Sequence, residues 1–245
     1  MANALSRERI VDAAIELLDV SGEGGLTFRT LSAQLKTGPG AIYWHVANKS
    51  ELLVAAAHTV LADAMADDAV LAAPEGAGGS PEGVREAPEG VKGAPEGVGE
   101  APEGAVRALA LGLFDAIDDH PWVGVQLSRV SSQATALQIF ERLGRQIEAL
   151  GVPATAQFDA ASALLNYILG VAAQNATRTP DTDLNRPDYL GAVAAGLDPD
   201  EFPFTRKVAE QLRDHDDRAQ FLAGVGLILA GIRSTVSGVT RDAGE

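Results

Sequence analysis

Between residues 74 and 104 the triplet Pro-Glu-Gly recurs at 74, 81, 88, 95 and 102, a strict seven-residue period. A heptad invites a coiled coil. A proline every two turns, however, removes a backbone donor and clashes with the preceding turn, while each glycine adds an entropic cost to any helix. The segment 73–104 is therefore expected to be a linker dividing two helical groups, 1–72 and 105–245. As a flexible coil of 31 residues it would span roughly 30 Å, at about 5–6 Å times the square root of its length. It is either a spacing or partner-binding element or an expanded loop tolerated because it touches nothing.

Outside the repeat, apolar residues recur at three-and-four spacing with little β-branched or aromatic alternation, which predicts helices and no strand. The apolar fraction of 46% suffices for a sizeable core. Cysteine is absent, so disulfides, thiolate metal sites and thiol nucleophiles are excluded. The N-terminus lacks the apolar stretch of a signal peptide. The greasiest run, Phe221 to Ile232, is 12 residues against the roughly 20 needed to span a bilayer, so a soluble, cytoplasmic protein without membrane contact is expected. The net charge of −15 is unevenly placed. Residues 1–60 carry five basic side chains (Arg7, Arg9, Arg29, Lys36, Lys49) against six acidic ones, net −1, leaving −14 for the remainder. The acidic body repels polyanions, and the N-terminal end does not.

Ser6 can cap a first helix, with Leu5 and Ile10 as a hydrophobic staple and Ile10, Ala13, Ala14, Leu17 and Leu18 as one buried stripe ending near Gly22. Thr27 can cap a second helix, Phe28 to Leu35. After a short turn, Pro39 opens a third helix that ends near Val46, the missing proline donor costing nothing at that position. Asn48, with Glu51 three residues on, caps a fourth helix running towards Leu71. Two short helices joined by a tight turn and braced on both sides are the arrangement of a helix-turn-helix DNA reader.

The stretch Thr27 to Leu53, TFRTLSAQLKTGPGAIYWHVANKSELL, resembles the DNA-binding motif of TetR-type transcriptional repressors, most specifically in Ile42-Tyr43-Trp44-His45-Val46 followed by Asn48-Lys49. The close likeness covers about the first 60 residues. It implies that Thr27 and Arg29 on the second helix, and Pro39, Gly40, Ala41 and Tyr43 on the third, face DNA, with Lys49 gripping phosphate. A lysine beside exposed amides at a helix start suits an anion. Tyr43 can donate its hydroxyl to phosphate while its ring packs on the backbone. Trp44 is expected to pack within the protein. His45 either reaches phosphate or bridges helices. Lys36 stands where the family usually has glycine. A positive φ there would cost about 1 kcal/mol, unless Lys36 adds a phosphate contact. Thr37 replaces the usual small hydrophobe. Gly38, Pro39, Gly40 and Ala41 put no bidentate base reader at the front of the recognition helix. Arg29 reading guanine, Ala41 touching a thymine methyl and close backbone approach at the glycines would supply specificity.

The expected fold is all-α: a three-helix DNA-binding domain (1–48), a connecting helix (49–72), the linker and an effector-binding and dimerisation bundle (105–245). A helix-turn-helix reader works as a two-fold homodimer on a palindromic operator in double-stranded DNA. Faces suited to dimerisation lie on 156–177 (Phe158, Ala161, Leu165, Ile168) and 217–236 (Phe221, Gly224, Ile228, Gly231), although an intrachain core uses the same pattern. Helices around 105–119, 121–130 and 134–150 would surround a small-molecule effector, with candidate contacts Trp122, Gln126, Arg129, Gln133, Phe140, Asn166, Tyr167, Gln174 and Asn175. The segment 178–203 is expected to be a long surface connection. No cofactor or metal is expected, because Asp214-His215-Asp216-Asp217 reads as a solvated turn. Nucleophile elbows, phosphate loops and paired histidines are absent from the sequence, which argues against an enzyme. A helical DNA-binding protein without effector is the main alternative to a ligand-responsive repressor, and a helical enzyme the weaker one.

Overall fold

The computed structural model describes residues 5–66, 100–127, 133–176, 187–213 and 216–242. Among these, all regular structure is helical. Most of the linker, Arg129, Asp214 and His215 lie outside the described residues, as do the side chains of Gln133 and Asn175.

The head is built from α1 (Arg7–Gly25), α2 (Phe28–Leu35), α3 (Pro39–Tyr43) and α4 (Lys49–Ala66). Ser6 caps α1 by accepting from the Arg9 amide at 3.3 Å. Helical geometry breaks at Gly22 (φ 61°), where the sequence predicts the end, and one more turn follows to Gly25. Thr27 and Thr30 cap α2 reciprocally: each hydroxyl accepts the other's amide, at 3.1 and 3.0 Å. Helix α3 is shorter than its expected span to Val46, because the chain turns at Trp44 and His45 before burying Val46. Ile10, Ala14, Leu18, Leu31, Ile42 and Leu52 close the core of the head.

The body comprises α5 (Glu100–Asp119), α6 (Pro121–Leu127), α7 (Gln133–Ala149), α8 (Ala154–Ala176), α9 (Pro187–Gly196), α10 (Pro203–Lys207), α11 (Ala209–Arg213) and α12 (Asp217–Asp242). Helix α8 packs on α5, α6, α7 and α12, and α5 also meets α4. Leu109, Leu113, Val123, Ile139, Leu143, Leu164, Val225 and Leu229 fill the space between them. Residues 217–236 of α12 are long and apolar enough to cross a bilayer by length and composition alone, a stretch longer than the sequence reading allowed. Phe221, Val225, Leu229 and Ile232 on that helix are buried in the protein core.

Two boundaries differ from expectation. The fifth triplet, Pro102-Glu103-Gly104, belongs to α5 rather than to the linker. A proline is tolerated in a first turn. Glu103 gains ion pairs there with Arg107 (3.7 Å) and Arg233 (3.0 Å). Within the supposed connection 178–203, residues Pro187–Gly196 form α9, which packs on α11 and buries Ala194.

Helices α4 and α5 touch backbone to backbone. A Cβ on Gly112 would stand 2.8 Å from the carbonyl oxygen of Ala64. Because that oxygen belongs to a helix backbone, Gly112→Ala is expected to push the helices apart and cost about 1–3 kcal/mol. Thermal unfolding followed by circular dichroism checks this, each kcal/mol lowering Tm by about 2–4 °C in a chain of this size.

Candidate nucleic-acid interface

Helices α2 and α3 bury Leu31, Ser32 and Ile42, with Phe28 and Leu35 packed against the core, and leave one face outward. Thr27, Arg29, Lys36, Gly38, Pro39, Gly40 and Tyr43 are exposed, and Ala41, His45 and Lys49 are half-buried. The ring of Tyr43 packs on Phe28 with centroids 4.5 Å apart, which ties the end of α3 to the start of α2. Lys49 shares a hollow of about 240 Å³ with Leu26, Thr27, Phe28 and Leu52. Thr27, Tyr43 and Lys49 thus converge beside the N-terminus of α2, while Lys36 sits at its other end. An ammonium and a hydroxyl next to first-turn amides suit a phosphate oxygen.

Trp44 corrects the sequence reading. It is 90% exposed and does not pack within the protein, because α3 ends before its side chain can turn inward.

The turn between α3 and α4 is held by one carboxylate. Glu51 accepts from the Ala47 amide (2.8 Å) and from Arg7 Nη1 (2.8 Å), and the same Arg7 nitrogen donates to the His45 carbonyl (2.9 Å). Asn48 Oδ1 accepts the Glu51 amide at 2.9 Å, as its capping role requires, but the returning carboxylate reaches Ala47 rather than Asn48. The Ala47 amide, and after it Arg7, hold the Glu51 carboxyl below the usual glutamate range. Arg7 carries no role in the sequence reading. Its partner lies 44 residues away, and no periodicity marks such a pair.

Lys36 adopts φ 52°, ψ 46°, the left-handed conformation that a glycine would take without strain. Its amide donates to Ala33, and that of Thr37 to Ser32, closing the end of α2. Lys36→Gly should therefore raise stability by about 1 kcal/mol, read as a higher Tm. If Lys36 also meets phosphate, the same variant makes DNA binding less salt-dependent by about one unit of slope.

In the body, the candidate effector contacts are not gathered. Trp122 and Gln126 are buried against α1, where Trp122 Nε1 donates to Asp19 Oδ1 (2.7 Å) and Gln126 Nε2 to Glu23 Oε2 (3.3 Å). Phe140 meets Phe158 edge to face. Asn166, Tyr167 and Gln174 line an open groove of about 530 Å³ between α8 and α12, together with Gly170, Gln220, Ala223, Gly224 and Leu227. A tight crevice lies deeper, between Phe114, Ile117, Ile168, Ala172 and Phe221. Phe221 stacks between Phe114 (4.9 Å) and Tyr167 (5.5 Å), and burial pushes the Tyr167 hydroxyl's pKa up.

Several residues expected at a dimer surface serve the chain's own core. Ala161, Ile168 and Phe221 are buried, Leu165 and Ile228 pack against that core, and Gly224 lies under the Tyr167 hydroxyl. Phe158 (69% exposed) and Gly231 do face outward. The outward face of α12 carries Ala223 and the 75%-exposed Leu227.

The Glu51 carboxylate yields a pH prediction. Its folded pKa is depressed, so its contribution is complete above the unfolded value and is lost as pH falls through the folded one. Glu51→Gln is expected to lower Tm at neutral pH and to lessen its fall on acidification. Melts recorded down an acid series check the sign.

The family described as bacterial regulatory proteins, tetR family, matches residues 10–56, and the tetracyclin repressor-like C-terminal domain matches residues 103–236. Tetracycline repressor protein class D of Escherichia coli is 48% identical over 58 residues, 24% of this chain. This chain's match spans 27% of that relative's length. A solved TetR-type transcriptional regulator of Streptomyces coelicolor is 47% identical, with 95% of this chain and 99% of the other covered and a TM-score of 0.75. ActR of Streptomyces coelicolor, solved in complex with actinorhodin, shares the fold at 22% identity and a TM-score of 0.65, over 96% of this chain and 99% of its own.

Proposed function

This chain belongs to the TetR family of ligand-responsive, DNA-binding transcriptional regulators, and from that premise we propose that it represses transcription as a cytoplasmic homodimer on a palindromic operator and releases it when a small organic effector binds. The carrying observation is the outward face of α2 and α3. Thr27, Arg29, Pro39, Gly40 and Tyr43 are all exposed on it, while Leu31 and Ile42 anchor the two helices underneath. Glycine and proline at the front of α3 let the backbone approach base edges closely. Arg29 supplies the bidentate donor that α3 lacks, suited to guanine O6 and N7. Lys49, Thr27 and Tyr43 take phosphates, and Lys36 and His45 flank them.

Dimerisation uses the open α8–α12 groove, where Leu227, Ala223 and Gly170 offer small and apolar surface to a second copy. Two heads are then presented to successive turns of the duplex. The effector enters where Phe114, Phe221 and Tyr167 stack, parting α5 from α8 and α12. A flat, aromatic organic molecule suits rings already stacked with one another. A coupling of about 1–3 kcal/mol between effector and operator is the usual scale. Regulation proceeds through binding, without catalysis.

Selection of duplexes from a random library by the purified chain, with sedimentation of the complex, tests this reading. A palindromic consensus held by a dimer is expected. A monomer without sequence preference overturns it. Arg29→Ala should lose discrimination at one symmetric position by about 1–3 kcal/mol, seen when the selection is repeated.

A further inference from the structure

Helix α6 meets α1 through a two-rung polar ladder. Trp122 and Gln126, four residues apart on α6, face Asp19 and Glu23, four apart on α1. His120 Nδ1 reinforces the first rung, 2.7 Å from the same Asp19 oxygen that accepts from Trp122. Gln126 is 2% exposed and Trp122 7%, so their donors have little access to water in place of these bonds.

The second rung has another end. The backbone carbonyl of Glu23 accepts from Lys49 Nζ at 2.5 Å. Glu23 therefore holds a body helix with its side chain and the phosphate-facing lysine with its main chain. It lies just beyond Gly22, where α1 loses helical geometry (φ 61°, ψ −173°), so the turn 23–25 is not continuous with the rod before it. A short segment set off by such a break can shift without dragging α1, whose Ile10, Ala14 and Leu18 are locked in the head core.

Resting on the DNA-binding reading above, we propose that Glu23 is a positioning residue for Lys49, and that α6 sets the lysine's reach to DNA through it. With α6 seated, the Glu23 carbonyl takes one of the three ammonium donors and aims the others past Thr27 at the start of α2. A displacement of α6 pulls on Gln126, moves the 23–25 turn and withdraws the charge from the phosphate. The route runs through the end of α1, beside whatever α4 transmits directly.

The test uses the full chain and the duplex selected by the wild type. Gln126→Ala and Glu23→Ala each cut the second rung while keeping the Glu23 carbonyl, and Trp122→Phe removes the indole donor but keeps a ring. Glu23 is half-buried, so its truncation leaves the core intact, and melting curves verify that each variant is folded. Each is expected to weaken binding and to make log K against log salt shallower, approaching the loss of about one unit per subunit that Lys49→Ala produces. In the Lys49→Ala background the same changes should then have no further effect on slope. A ladder that merely stabilised the fold would lower Tm and leave the slope untouched. Folded variants with wild-type slopes, or slope losses that add to that of Lys49→Ala, overturn the proposal. A wild type that selects no duplex overturns the functional reading along with it.

Discussion

Helix α4 runs through one continuous hydrophobic core that joins head to body, and its burial places everything else. Its first turns put Leu52, Leu53 and Ala56 into the head against Ile10, Ala14 and Ile42. Its last turns put Val60, Leu61 and Met65 against the body. The backbone contact between Ala64 and Gly112 then leaves no room for α4 to slide on α5. Apolar burial is non-directional and would allow many orientations of head on body. A main-chain contact at the crossing, together with the directional Asp19–Trp122 and Glu23–Gln126 bonds, selects one.

The recognition elements are short, and short helices do not hold themselves together. Helix α3 has five residues and no side-chain cap. What keeps it in place is tertiary: Ile42 in the core, Tyr43 on Phe28, and the Arg7–Glu51 pair gripping the following turn. Exposed charges contribute little as isolated pairs. Here Arg7 and Glu51 also satisfy the His45 carbonyl and the Ala47 amide, so their role is to fix geometry at the edge of the exposed α2–α3 surface.

Much of the head was legible in the residues. Caps at Ser6, Thr27 and Asn48, proline opening α3 and the break at Gly22 all act within a few positions of themselves, so local spacing reveals them. The left-handed turn at Lys36 was hinted at only by the resemblance, in which glycine usually holds that position, and the bonds closing α2 are seen only in the structure. Less of the body could be read. Periodicity says that α8 and α12 each have an apolar face. It does not say whether Phe221 meets its own chain or another, and Phe221 is stacked between Phe114 and Tyr167 of its own. The exposure of Trp44 was missed because an aromatic residue ordinarily seeks burial, and only the early end of α3 denies it.

By itself the sequence determined the helical class, the separation of a near-neutral head from an acidic body, and the order of residues along α2 and α3. Each follows from composition or from spacing shorter than a helix turn or two. The tertiary structure alone decided which polar residues meet across the head–body joint. Asp19 and Glu23 are unremarkable in a linear reading. Their carboxylates meet His120, Trp122 and Gln126 only when α6, about a hundred residues further on, is laid across the end of α1. The reason is physical: a hydrogen bond needs its donor within about 3 Å and in line, and packing of the whole chain brings those atoms together.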